Sequence, residues 1–251
     1  MRQEESMGKK ETKQDRSSKE DISYQEQQKE ESVGKLIHDS GQFMLKNNGQ
    51  HHRIHLLNII GEIEGHECLP SSSKTTKYEH VLPMLAEIED NDQINGMLVL
   101  LNTVGGDVEA GLAIAEMIGS IQKPVVTLVL GGGHSIGVPL AVSGDYSFIA
   151  PTATMVVHPI RMNGMVIGVK QNYEYIERMQ DRIIAFTVEH SMVKEERLRQ
   201  IMMNNQQLVK DIGSMLVGHE AVKEGLIDSV GGIHDAVTKL HEMIRTQNKT
   251  C

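Results

Sequence analysis

Between residues 54 and 158, short apolar runs of strand length alternate with segments of helical spacing, and this alternation constrains the fold more than any other feature. The runs are residues 54–60, 97–101, 125–130, 146–149 and 154–158. Between them, residues 78–89 place Val81, Leu82, Leu85 and Ile88 at helical spacing, and residues 108–121 and 136–143 also read as helices. Strands separated by helices of crossover length predict right-handed βαβ units around a mostly parallel sheet, an α/β fold. Residues 169–189 form a longer, highly charged helical segment with Tyr173, Ile176, Met179, Ile183 and Phe186 near one face. Such a helix either packs on the sheet or projects outward to pair with another subunit.

Composition narrows the class further. A chain of 251 residues has room for one such domain and a tail. Residues 1–32 are mostly Lys, Glu, Gln, Ser and Asp. Ordering a backbone costs about 1–2 kcal/mol per residue, which so little apolar surface does not offset. The expected organisation is a disordered tail over 1–32, one domain over 33–245 and a short C-terminal tail over 246–251. The N-terminal segment is alternatively an arm that orders on a partner. A formal net charge of -9 argues against a general nucleic-acid binder, and 3% aromatic residues with no tryptophan argue against stacking platforms. Cys68 and Cys251 make no recognisable disulfide pair, and neither a membrane-spanning run nor a signal peptide is evident, so the expected location is the cytoplasm. His66 and Cys68 lack a second pair of metal ligands, and His51, His52 and His55 read as an exposed loop before the first strand. No metal or cofactor is expected.

The chemistry concentrates where strands end. Gly131, Gly132, Gly133, His134, Ser135, Ile136 and Gly137 join an apolar strand to a buried helix. A serine in such a turn projects its hydroxyl while neighbouring amides remain free to donate, as acyl transfer requires. Upstream, Asn102, Thr103, Val104, Gly105 and Gly106 end one strand and open a helix, so amides near the glycine pair point at an anion. His158 and Pro159 end a later strand and supply a base. His134 reads as a satisfied or exposed histidine, and the glycine run is not a phosphate loop, since no Gly-Lys-Ser/Thr follows it.

These pieces, together with residues 220–228 (Glu-Ala-Val-Lys-Glu-Gly-Leu-Ile-Asp), resemble the proteolytic subunit of the Clp protease, the ClpP family. Four motifs in register carry the resemblance, which covers roughly residues 53–237. The departures described below make the chain most similar to the translocation-enhancing branch of that family. The resemblance implies a ClpP/crotonase-type fold and a serine endopeptidase. Ser135 would be the nucleophile, His158 the base, and the amides of Gly106 and Ile136 the oxyanion hole. It also implies substrate contacts near Gly105, Asn163 and Gly164. Further implications are ring assembly through the helix at 169–189, a separate Clp-type ATPase for folded substrates, and a link to export of pre-secretory proteins.

Two departures from the family pattern stand out. Counting back from Glu220, the family's catalytic aspartate falls on Gly213, and the nearest carboxylate is Asp211. Asp211 would orient His158 through a shifted loop, or a carbonyl or water takes its place. After His158 the family's Gly-rich strand is replaced by residues 159–168, with Arg161 and several methionines. A catalytically silent scaffold that assembles with protease or export components is the alternative. A hydratase of the related crotonase class fits less well, because the turn offers a serine instead of carboxylates.

Overall fold

The computed structural model describes residues 43–46, 52–161, 168–205 and 212–247. The expected N-terminal tail, residues 248–251 and the candidates Asp211, Asn163 and Gly164 lie outside the described residues, whereas Thr246 and Gln247, expected in the C-terminal tail, continue the last helix. Two units, Met1–Phe43 and Met44–Cys251, divide the chain, and the fold below is that of the second.

In chain order the strands are β1 (Phe43–Lys46), β2 (Arg53–Glu64), β3 (Thr75–Lys77), β4 (Gly96–Gly106), β5 (Val125–Gly133), β6 (Tyr146–Ile149), β7 (Thr154–Val157), β8 (Ser214–Val217) and β9 (Ser229–Val230). The helices are α1 (Tyr78–Asp90), α2 (Val108–Ser120), α3 (Gly137–Val142), α4 (Val169–Glu189), α5 (Glu195–Met202), α6 (His219–Lys223) and α7 (Ile233–Gln247). The main sheet runs β1-β2-β4-β5-β6-β9, with β3 beside β2. The pairings β2–β4, β4–β5, β5–β6 and β6–β9 are all parallel, as strand–helix alternation predicts. β7 leaves this sheet: its ladder pairing with β5 is the single pair Gly132–Thr154, and it pairs antiparallel with β8.

Side chains alternate across each strand, so the central strands feed two cores. Met97, Val99 and Leu101 of β4, with Val125 and Val129 of β5, join α1, α2 and α3 in the larger core. Leu98, Val126 and Leu128 join Ala236, Leu240 and Ile244 of α7 in the smaller one. Burial on both faces explains why these strands read as continuous apolar runs. The helix α7 went unread in the sequence, although Ala236, Leu240 and Ile244 recur every fourth residue.

Local chemistry sets the element ends nearest the site. Asp107 caps α2, its carboxylate accepting from the Ala110 amide at 2.8 Å. Only the last part of α4 packs: Met179, Ile184, Phe186 and Thr187 are buried, whereas Val169, Tyr173 and Tyr175 are exposed. Tyr173 therefore leaves the expected packed face, and the first turns of α4 stand in solvent. Arg182 clamps α4 to α2 through two bonds to Glu109, at 2.7 and 3.0 Å, and Arg199 of α5 reaches Asp181 of α4 at 2.7 Å. Among the described residues, no helix is long and apolar enough to cross a membrane.

Candidate active site

Ser135 sits between β5 and α3, at the turn expected from the glycine run. Its φ of +58° makes it the one non-glycine with positive φ among the described residues. Backbone in this region costs about 1–3 kcal/mol and persists where surrounding bonds impose it. Here the Ser135 amide donates to Val156 O at 2.8 Å, the Val138 amide to Ser135 O at 3.0 Å, and the Gly137 amide to His134 O at 2.8 Å. The Ser135 turn is thus fastened both to β7 and to the start of α3. Among the described residues no acceptor takes the Ile136 amide, and Ile136 packs its side chain inward, 1% exposed, against the Gly111 position of α2.

Asn102–Gly106, which continue β4 to its end, brace the same spot. The Gly132 amide donates to Asn102 Oδ1 at 2.9 Å, tying β4 to β5. Thr103 Oγ1 donates to Gly61 O at 2.6 Å and accepts from the Gly105 amide at 3.0 Å. Gly105 and Gly106 adopt φ of +94° and +149°. A Cβ on Gly105 would stand 2.7 Å from Ser135 Cβ, and one on Gly106 would collide with the Ile63 backbone, so only glycine brings this turn so close.

His158 follows β7, and its Nδ1 lies 2.6 Å from Pro159 O. Ser135, His158, Gly106 and Ile136 line one cavity of about 330 Å³, together with Val108, Val138, Val157, Ile183, Leu198 and Met202. The sequence-predicted nucleophile, base and two amide donors therefore share a cleft, although no hydrogen bond joins Ser135 to His158 among the described residues. Catalytic hydrogen bonds often tighten only when substrate binds. Gly105 packs behind Ser135 and does not line the cleft. A larger cavity of about 460 Å³ lies beside α7 and holds none of these residues.

Of the other histidines, His134 matches its sequence reading, whereas His52 and His55 depart from theirs. His134 is satisfied, with Nε2 2.9 Å from Thr154 Oγ1. Burial, and secondarily the charge of His158, hold its pKa below the usual 6.5. His52 does not sit in an exposed loop: its Nδ1 is 3.0 Å from Nδ1 of buried His241, whose pKa is depressed by burial first, then by His52 and Arg245. His55 lies half-buried within β2, where burial outweighs the opposing pull of Glu87 and again depresses the pKa. His51 lies outside the described residues. Asp228 positions backbone, its Oδ2 accepting from the Ser147 amide at 2.8 Å and hydroxyl at 2.7 Å.

Three histidines with folded pKa values below 6.5 give stability a definite pH dependence. The unfolded chain binds more protons once the pH falls through 6.5, so their contribution is complete above that pH and drains away below it. The melting temperature is expected to fall between about pH 7 and pH 5, and His241→Phe to flatten part of that slope. Thermal unfolding across this range checks both; equal slopes for the two proteins would refute the His241 assignment.

Comparison with known proteins settles the family. The Clp protease family model matches residues 52–234. The chain belongs to the Clp protease family. It is 56% identical over 194 residues to the translocation-enhancing protein TepA of Halalkalibacterium halodurans, covering 77% of this chain and 76% of that relative. It is 28% identical over 159 residues to the ATP-dependent Clp protease proteolytic subunits of Lactococcus lactis subsp. cremoris and Streptococcus pyogenes serotype M5, covering 60% of this chain and 74% and 76% of theirs. The α/β architecture is accordingly the ClpP-type fold, with β4, β5 and β7 delivering the turn, the serine and the histidine.

Proposed function

We propose that the protein is a serine endopeptidase that cleaves unfolded chains or short peptides through an acyl-enzyme. Ser135 Oγ attacks the peptide carbonyl as its proton passes to His158 Nε2. The amides of Gly106 and Ile136 receive the oxyanion, and His158 returns the proton to the departing amine. Water then hydrolyses the ester, with His158 again as base. The observation that carries this reading is the strained Ser135 turn, which opens into the same cleft as His158. Apolar walls from Val138, Val157 and Ile183 suit an aliphatic side chain next to the scissile bond.

Substrate contacts at Asn163 and Gly164, with Gly105 behind Ser135, belong to this reading. Assembly into a homo-oligomeric ring through the exposed start of α4, and a separate Clp-type ATPase for folded substrates, belong to the same reading, as does a cytoplasmic location. The relative's name, translocation-enhancing protein, adds a role in translocation, and a link to export of pre-secretory proteins belongs to the same reading. One observation favours a second reading, that of a silent scaffold: the family's aspartate position is Gly213. Labelling with a fluorophosphonate probe decides between them. Ser135 is expected to be the labelled residue in the mass spectrum of the assembled protein, and assembled protein that never labels would establish the scaffold.

A further inference from the structure

Taking Ser135 and His158 as nucleophile and base, we infer that the main-chain carbonyl of Pro159, and not a carboxylate, orients His158. His158 Nδ1 lies 2.6 Å from Pro159 O. A carbonyl oxygen only accepts, so Nδ1 carries the hydrogen, and in the neutral ring Nε2 is left with the lone pair. That is the tautomer a serine nucleophile requires, and holding it is the main service of the aspartate in a complete triad. Nδ1 bears a single hydrogen; while Pro159 O holds it, none is left for a carboxylate.

Two features frame this contact. A residue before proline is confined to extended backbone, and proline fixes its own φ, so the His158–Pro159 unit has few conformations to choose from. On the other side stands Gly213, with φ of +138°. A Cβ at Gly213 would lie 2.6 Å from Val157 O and 2.8 Å from His158 Cβ, so the residue leading into β8 approaches the histidine with bare backbone. The Gly213 amide donates to Asn204 O at 2.6 Å, which holds that backbone in place independently of any side chain. Pro159 is thus a positioning residue that acts through His158.

Nitrogen-15 NMR of histidine-labelled protein at about pH 8, above the ordinary histidine range, reads the tautomer directly. The His158 signals are identified by their loss in His158→Gln. The expected result is a protonated Nδ1 and an unprotonated Nε2, unchanged in Asp211→Asn. A ring protonated at Nε2, or one whose tautomer changes in Asp211→Asn, would overturn the proposal. Pro159→Gly frees the carbonyl; it is expected to mix the tautomers and lower kcat by up to about 10²-fold with little change in KM. A single Nδ1–H tautomer and unaltered kcat in that variant would also overturn it. The wild-type spectrum needs neither a tolerated substitution nor turnover. An inert protein with an Nδ1–H His158 would therefore count against the peptidase reading alone.

Discussion

Ser135→Ala is expected to lower kcat/KM for short fluorogenic peptides by roughly 10⁴ to 10⁶ while leaving the folded protein intact. The size of the effect follows from the role: without the oxygen there is no acyl-enzyme, and only the amide pair and the cleft remain to bind and polarise the peptide. The stability side follows from the geometry. Serine and alanine both carry a Cβ, so each bears the same strain at φ of +58°. Among the described residues the Ser135 hydroxyl makes no hydrogen bond, so its loss leaves no buried partner unsatisfied. Initial rates and melting temperatures of purified wild type and variant, with assembly checked by light scattering, provide the test. Equal turnover by the two proteins would mean that Ser135 is not the nucleophile.

The second large effect runs against what the family pattern suggests. Gly213→Asp writes the family's aspartate into its counted position, and the expected outcome is a less stable protein with no gain in turnover. An aspartate at φ of +138° costs about 1–3 kcal/mol in conformation. The new Cβ, 2.6 Å from Val157 O, forces a displacement costing about 1–3 kcal/mol more. That displacement falls where Val157 pairs with Ser214, beside His158, so it disturbs the base it was meant to support. Urea unfolding and peptide hydrolysis test both halves of the expectation. An unshifted midpoint together with faster cleavage would show that the site is a triad lacking only its acid.

The strand, turn and helix around Ser135 were legible because their signals are local. The run at 125–130 became β5 (Val125–Gly133), and the helix expected at 136–143 became α3 (Gly137–Val142). Strand ends were less legible. β2 continues beyond residue 60 to Glu64, because parallel pairing with β4 and β3 extends through Glu62 and Glu64, whose polarity hides a strand. β8 is four residues long and shows no pattern of its own; its partner β7 creates it. Asn102 and Thr103 appeared only as parts of a turn, whereas their side chains brace β5 and β2 from across the sheet. A signal for Pro159 was present, since X-Pro restricts both residues, but nothing in it says where a carbonyl points.

By itself the sequence determined the α/β class, the glycine turns and the order of serine and histidine, because hydrophobic period and glycine's backbone freedom act over a few residues. Tertiary structure alone decided that Ser135 and His158 share a cleft with Gly106 and Ile136, and that His52 meets His241 across 189 residues. It also decided that Gly213 presses bare backbone against His158 while Pro159 O lies 2.6 Å from the imidazole Nδ1. These are matters of register and close approach between strands distant in the chain. A shift of one residue in β7 against β8 would turn every side chain to the other face and dismantle the site without altering a single motif.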